Sequence, residues 1–149
     1  LMIDFNHDKT MEVEQPMGAC LLIRRKALDA VGAFDENYFM FFDEVDLCFR
    51  IKKNGWKIMF FPDSVVMHYG GTAVKKWSPL KLSKVWTSSR NYFFKKHFGN
   101  KAVFALYLFD FLKIAIIILI FMILIYLIQK ILLLGNSQKY SLKLTHLYF

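Results

Sequence analysis

Cysteine and proline are scarce in this sequence, and their scarcity excludes several protein classes. The 149 residues include two cysteines and three prolines, too few for a disulfide scaffold, a collagen-like chain or a Pro-rich chain. The cysteines form no CxxC pair, so no structural zinc site is indicated. An aromatic content of 17% excludes a mainly disordered chain. The length is typical of one domain.

Acidic residues are scarce in the second part of the chain. Residues 64–149 hold 12 basic residues and one acidic residue, Asp110, whereas residues 1–63 hold 8 basic and 11 acidic residues. The formal net charge of +8 is therefore the sum of a mildly acidic first part and a strongly basic second part. The two parts have to be interpreted separately.

Residues 114–128 are free of charged side chains and read IAIIILIFMILIYLI. A membrane span needs about 20 apolar residues, and the run extends to residues 102–134 with a few interruptions. The apolar residues surround the whole helix, which disfavours an amphipathic helix on a membrane surface. We predict a membrane-embedded or spanning helix over 102–134, followed by a polar, basic tail over 135–149. A buried core helix is the alternative.

Residues 75–101, here called the basic collar, carry eight lysines and arginines, no acidic residue and six large aromatic residues. Ser78, Pro79 and Gly99 predict the N-cap, first turn and end of one helix. A basic, aromatic segment beside a membrane span typically binds anionic lipid headgroups. The positive-inside rule then predicts that the basic collar lies in the cytoplasm. Single-stranded nucleic acid binding and an ordinary solvated helix are the alternatives, and we predict no nucleic-acid partner.

The first part of the chain has an α/β pattern. Apolar runs predict strands over residues 18–25, 56–61 and 65–69, and helical spacing predicts helices over 26–31 and 43–53. The two predicted helices end at Gly32 and at Asn54-Gly55, which are C-cap signals.

Three carboxylates lie within four residues at the start of the second predicted helix, after the aromatic run 38–42. Capping explains them without any function: Asp43 as N-cap, Glu44 in the first turn and Asp46 at the capping-box position. Catalysis is the alternative, because an aromatic environment desolvates a carboxylate and makes it a better base. His68, at the end of a predicted strand, is a second candidate, with a structural role as its alternative.

The stretch GACLLIRRKALDAVGAFDENYFMFFDEVDLCFRIKKNGWKIMFFPDSVVMHYGG resembles the C-terminal half of the catalytic domain of family 2 glycosyltransferases. The resemblance is strongest to the rhamnosyltransferase-like and galactofuranosyltransferase-like branch. It covers residues 16–72, with many positions matching in order. It implies the C-terminal half of a GT-A-type, nucleotide-diphospho-sugar transferase fold over 1–74, followed by the basic collar and the membrane helix.

The resemblance also implies roles for individual residues. The acidic pair Asp43-Glu44 matches the pair that carries the general base, with Glu44 at the position of the base. Asp46 matches a third acid that orders the helix start or the acceptor site. Gly18 and Ala19 match a loop that approaches the sugar and the acceptor.

His68 matches a histidine that helps to hold a divalent metal, Mn²⁺ or Mg²⁺, on the diphosphate of the donor. The nucleotide-binding half that precedes this region in the family, with its Asp-x-Asp motif, has no counterpart in the sequence. We therefore expect the chain to be part of a longer enzyme and to be inactive alone.

The sequence thus predicts part of an inverting glycosyltransferase at the cytoplasmic face of the inner membrane. Its expected partners are a nucleotide-diphospho-sugar donor, a glycan acceptor carried on a lipid and an anionic membrane surface. The alternative is a membrane-tethered binding module that has lost the chemistry.

Overall fold

The computed structural model describes the backbone of residues 6–145 and the side chains of residues 6–133. Two strands and four helices follow in the order β1 (Met11–Glu12), α1 (Arg25–Val31), α2 (Asp43–Lys53), β2 (Met59–Phe60), α3 (Pro79–Phe98) and α4 (Asn100–Thr145). The chain divides into two compact units, one ending at Asn100 and the other beginning at Lys101. The predicted domain boundaries at residues 74 and 134 stay predictions.

Helices α1 and α2 confirm the helical spacing of the sequence. α1 ends at Gly32, whose positive φ of 81° suits glycine and whose N–H donates to the Leu28 carbonyl. α2 carries acidic residues in its first turn and basic residues in its last turn, an order that complements the helix dipole. Both helix ends were therefore predictable from local sequence.

The strand predictions are mostly wrong. Of the predicted strand 18–25, residues 18–24 form a turn and an irregular segment and Arg25 begins α1, and residues 65–69 are also irregular. Of the predicted strand 56–61, Met59–Phe60 forms β2, which pairs antiparallel with Met11–Glu12. A strand requires a neighbouring backbone to accept its hydrogen bonds, and the described residues supply such a neighbour only to these two short strands.

Helix α3 begins and ends as predicted. The Ser78 side chain accepts a hydrogen bond from the Lys81 backbone N–H at 3.2 Å, and Pro79 occupies the first turn. The helix stops at Gly99, whose φ is 81°. Within the first compact unit, α3 packs against α2 through ring contacts of Phe93 with Phe49 and Phe42.

The core of the first unit is small and centred on α2. Leu47, Cys48 and Ile51 of that helix are buried. The buried apolar residues contributed by other segments are Val13, Ala27, Tyr38 and Phe93. The core therefore joins α2 to β1, α1, the aromatic loop and α3.

The second unit consists of α4, whose described side chains agree with the predicted membrane helix. Asn100–Leu133 is long and apolar enough to cross a membrane by length and composition, and none of its most apolar window is buried in the chain. These 34 residues extend about 51 Å as a helix, against a bilayer core of about 30 Å. The helical backbone continues through residue 145, and residues 146–149 of the predicted tail lie outside the described residues.

Candidate active site

The aromatic loop before α2 is held in an unusual backbone conformation. Phe41 and Phe42 have φ values of 66° and 64°, a left-handed region that bulky residues rarely adopt and that costs about 1–3 kcal/mol each. The loop is fixed from α3: the Ser89 hydroxyl donates to the Met40 carbonyl at 2.7 Å, and the Phe42 ring packs against Trp86. The strained turn determines how the chain enters α2.

The capping alternative holds in part: Glu44 lies in the first turn of α2, where its charge complements the helix dipole, but Asp43 and Asp46 do not have the capping roles. The N-cap of α2 is Phe42, Asp43 is the first helical residue, and no side chain caps the helix. The Asp46 carboxylate does not reach back to the helix start, because it is buried and bonded to side chains from other segments. Capping therefore does not account for Asp43 or Asp46, whereas the helix dipole accounts for an acidic residue at Glu44.

Glu44 lies half-buried beside the loop that carries Gly18 and Gln15. The Gln15 amide donates to Glu44 Oε1 at 3.4 Å. Burial raises the pKa of Glu44, and the neighbouring Asp43 carboxylate raises it further. A carboxylate with a raised pKa is a stronger base than an ordinary exposed one, so Glu44 has the properties of a general base.

Gly18 is the closest neighbour of the Glu44 side chain on the loop side. A Cβ built on Gly18 would lie 3.3 Å from Glu44 Cβ and 3.4 Å from Glu44 Cγ, so only glycine leaves the side chain where it is. Gly18 and Ala19 are both exposed. The structure thus brings Gly18 and Glu44 together, and the predicted role of Gly18 and Ala19 toward sugar and acceptor stays a prediction.

Asp46 occupies the centre of a buried polar network rather than the surface of the site. Its carboxylate accepts hydrogen bonds from Arg50 Nε at 2.7 Å and His97 Nε2 at 2.7 Å. Lys96 Nζ lies 2.8 Å from Asp46 Oδ1, and the Tyr38 hydroxyl donates to the same oxygen at 3.3 Å. Asp46 is 0% exposed, so an acceptor does not reach it, and the structure supports its ordering role.

The network also fixes the charge of its members. Burial would raise the pKa of Asp46, but the hydrogen bonds from Lys96, His97 and Arg50 outweigh it and lower the pKa. Burial and the charge of Asp46 raise the pKa of the Tyr38 hydroxyl. Asp46 is therefore ionised and Tyr38 neutral at physiological pH, and a buried charge with partners on every side stabilises one arrangement of α2 and α3.

A second carboxylate extends this network toward the loop after α1. Asp35 accepts hydrogen bonds from Lys96 Nζ at 2.7 Å and from the Tyr92 hydroxyl at 3.1 Å. The hydrogen bond from Lys96 holds the pKa of Asp35 well below its usual range. Lys96 of the basic collar therefore links Asp35 to Asp46.

Arg50 anchors the end of α1 to α2. Its guanidinium donates to the carbonyl oxygens of Val31, Gly32 and Ala33 as well as to Asp46. A guanidinium in a fixed fork geometry suits several acceptors at once. These contacts give Arg50 a structural role, in which it holds the segment after α1 against α2.

His68 stands apart from the carboxylates. Its side chain is exposed and has no hydrogen bond or ion pair with the other described residues. No group of three or more His, Cys, Asp or Glu side chains that could hold a metal occurs within residues 6–133. The residues present therefore do not form a metal site, and His68 stays a predicted ligand.

Sequence reasoning missed Tyr38, Lys96 and His97 as partners of Asp46. Lys96 and His97 lie about 50 residues further along the chain, where the sequence shows only a basic, aromatic helix. The sequence offered a signal for one partner of Asp46 only. Asp46 and Arg50 are four residues apart on a helix, a spacing that favours the ion pair that they form.

Comparison with known proteins identifies the family. The model of the family described as glycosyltransferase like family 2 matches residues 5–93, more than half of the chain. N-acetylglucosaminyl-diphospho-decaprenol L-rhamnosyltransferase of Mycobacterium tuberculosis is 39% identical over 69 residues, which cover 44% of this chain and 22% of that protein. Rhamnosyltransferase WbbL of Escherichia coli K12 is 33% identical over 52 residues, 35% of this chain and 20% of that protein.

The chain therefore spans about a fifth of the length of these two relatives. No solved structure matches it. The family match includes the strained aromatic loop, the acidic pair and Asp46, but ends before Lys96 and His97, and it implies a GT-A-type nucleotide-sugar transferase fold. The chain belongs to the family 2 glycosyltransferases.

Proposed function

We propose that this chain is the acceptor-side part of a membrane-attached, inverting glycosyltransferase. The enzyme transfers a sugar from a nucleotide-diphosphate donor to a glycan acceptor carried on a lipid, in the synthesis of a cell-surface polysaccharide. The chain contributes the general base and part of the acceptor site, and the donor site lies mainly on residues that precede this segment in the family.

The observation that carries the proposal is the position of Glu44. Its carboxylate is half-buried, burial and Asp43 raise its pKa, and the neighbouring loop residues Gly18 and Ala19 are exposed. A general base requires both a suitable pKa and access to the proton that it removes. Among the three carboxylates of the cluster, Asp46 lacks access because it is fully buried.

The chemistry at Glu44 is a single displacement. The carboxylate takes the proton of the attacking acceptor hydroxyl while that oxygen forms a bond to the anomeric carbon of the donor sugar. The bond from this carbon to the diphosphate breaks on the opposite face, and the electron pair leaves with the diphosphate. Attack on the face opposite the leaving group inverts the anomeric configuration.

The lipid-linked acceptor follows from two observations. The mycobacterial relative is named for rhamnosyl transfer to N-acetylglucosaminyl-diphospho-decaprenol, and α4 of this chain is long and apolar enough to enter a bilayer. An enzyme held at the membrane keeps its site beside an acceptor that is confined there. The charge of the basic collar supports a position of this site on the cytoplasmic face of the inner membrane, by the positive-inside rule.

The donor is proposed to be a nucleotide-diphospho-rhamnose, since both relatives are rhamnosyltransferases. A divalent cation, Mn²⁺ or Mg²⁺, would neutralise the departing diphosphate. His68 would supply one ligand, and its other ligands would have to come from outside the described residues.

The proposal is tested on the full-length enzyme, with transfer measured to a polyprenyl-diphosphate-linked sugar and to the same sugar without its lipid. We expect the lipid-linked acceptor to react at least tenfold faster at equal concentration. Equal rates would contradict the lipid-linked acceptor, and no transfer to either acceptor with any nucleotide-rhamnose would favour a non-catalytic, membrane-tethered binding module.

A further inference from the structure

One exposed surface of the first unit combines stacked aromatic rings with a lysine. The Phe39 and Trp77 rings are stacked, with centroids 6.0 Å apart and an interplanar angle of 18°. Lys81 Nζ lies 4.4 Å from the centroid of the Trp77 ring. Phe39 is 75% exposed and Leu80 is 65% exposed. We call these four residues the aromatic ledge.

The outer face of α3 continues this surface with positive charge. At 3.6 residues per turn, Leu80, Lys84, Lys95 and Phe98 fall within one narrow stripe of the helix, and all four are exposed. Lys81, Lys84 and Lys95 form no ion pair with any described residue. The neighbouring Lys96, which lies off this stripe, binds the carboxylates of Asp35 and Asp46 instead.

These features fit an anionic lipid surface better than they fit water or a neutral protein partner. Large aromatic rings with a polar edge prefer the headgroup level of a bilayer, and unpaired lysines beside them attract anionic headgroups. The basic collar contains no acidic residue that would oppose this attraction. It also leads directly, through Gly99, into the apolar helix α4.

We propose that the aromatic ledge and the basic outer face of α3 lie on the anionic headgroups of the bilayer that α4 enters. This inference rests on the membrane attachment in the proposed function and adds a second, peripheral contact. Because Phe39 belongs to the same loop as Phe41 and Phe42, the contact holds the strained turn that precedes Asp43 at the bilayer surface. The acidic pair is thereby kept beside a lipid-linked acceptor.

The test uses tryptophan fluorescence of the whole chain reconstituted into vesicles. Trp56→Phe and Trp86→Phe together leave Trp77 as the single tryptophan, and Trp77→Phe with Trp86→Phe leaves Trp56 as the matched control. Vesicles consist of phosphatidylcholine with phosphatidylglycerol, with and without bromine on acyl carbons near the headgroup. We expect brominated lipid to remove more than half of the Trp77 emission and little of the Trp56 emission.

The contribution of charge is measured with the same Trp77 chain. Vesicles that contain phosphatidylglycerol give the reference quenching of Trp77. Quenching should fall at least twofold in vesicles of phosphatidylcholine alone. It should fall similarly in the reference vesicles when Lys81→Gln and Lys84→Gln are introduced. Quenching that is the same under all three conditions would contradict the role of anionic headgroups.

Other outcomes separate this inference from the proposed function. Equal quenching of Trp77 and Trp56 would overturn the contact between the aromatic ledge and the bilayer. So would the absence of quenching at both tryptophans in a chain whose α4 is protected from protease by the vesicle. In either case the membrane attachment by α4 would still hold. A chain that does not float with vesicles would overturn both. Trp77 emission that depends on protein concentration and not on lipid would assign the ledge to a second copy of the chain and so contradict the proposal.

Discussion

Gly18 lies directly against the side chain of Glu44, so that a Cβ on residue 18 would be 3.3 Å from Glu44 Cβ. The contact joins the loop before α1 to the first turn of α2. Gly18 does not have a positive φ, so a substitution there acts through space rather than through backbone strain. A side chain at this position requires the loop or the Glu44 side chain to shift by a few tenths of an ångström, and by more for a larger side chain.

We therefore expect a graded effect of side-chain size at residue 18. In the full-length enzyme, Gly18→Ala should lower kcat severalfold, and Gly18→Val should lower it roughly 10²-fold, since small misplacements of a catalytic group have effects of that order. The rates are measured at saturating donor and acceptor, with folding checked by circular dichroism. A Gly18→Val enzyme with the wild-type rate would show that the Glu44 side chain is not positioned by this contact.

Asp46 should be important for stability and not for contact with substrate. Asp46→Asn removes a buried charge and leaves Lys96, His97 and Arg50 without their common partner, so we expect a loss of about 3–5 kcal/mol in the free energy of unfolding. The matched control is Asp29→Asn, because Asp29 pairs with Arg25 at the exposed surface and should contribute less than about 1 kcal/mol. Denaturant unfolding of the chain in detergent at pH 7 measures both.

The lowered pKa of Asp46 also predicts a direction with pH. A carboxyl group whose pKa is lower in the folded state stabilises the fold above its unfolded pKa of about 3.9. That contribution is lost as the pH falls through the folded-state pKa. The wild-type chain should therefore lose more stability between pH 5 and pH 2 than Asp46→Asn does. Equal losses in the two chains would show that Asp46 is not the group responsible.

Lys95 and Lys96 are adjacent on α3, and substituting each in turn tests the buried network around Asp46. Lys96 bridges Asp35 and Asp46, whereas Lys95 is exposed. Lys96→Met should lower the free energy of unfolding by roughly 1–3 kcal/mol, since two carboxylates lose a charged donor, and Lys95→Met should change it by less than about 0.5 kcal/mol. Similar effects of the two substitutions would contradict the bridging role of Lys96.

The two cysteines report folding of the first unit without any assay of activity. Burial, with a smaller contribution from Glu44, raises the pKa of the Cys48 thiol to about 11, and Cys20 is exposed. Because the thiolate is the reactive form, Cys20 should react with a thiol reagent at pH 8 and Cys48 should react only after denaturation. Mass spectrometry of the labelled peptides checks this, and rapid labelling of Cys48 in the native chain would contradict the described core.

The helices were predictable because their signals are local. Ser78, Pro79 and Gly99 determine the ends of α3 within a few residues of sequence, and Gly32 does the same for α1. The strands were not predictable from apolar runs alone, because residues 18–25 and 65–69 have no paired backbone among the described residues. A short apolar run indicates burial or pairing only when a partner exists.

The resemblance to a family assigned a catalytic role to the acidic pair Asp43-Glu44. Neither the resemblance nor the spacing of residues predicted the network around Asp46. Asp35, Lys96 and His97 are brought to Asp46 by the packing of α3 on α2, over separations that leave no local pattern. Position-by-position resemblance therefore located the proposed chemistry but not the residues that hold it in place. The N-cap predicted at Asp43 was wrong for a related reason, since Phe42 occupies that position in a left-handed conformation that spacing does not reveal.

Glu44→Gln in the full-length enzyme tests the central claim most directly, with Asp43→Asn as the matched control. Sugar transfer is measured together with donor binding. We predict that Glu44→Gln lowers kcat by roughly 10²–10⁴-fold, the usual contribution of a general base, with donor affinity nearly unchanged, and that Asp43→Asn lowers it much less. Transfer by Glu44→Gln at the wild-type rate, or a larger loss in Asp43→Asn, would show that Glu44 is not the base.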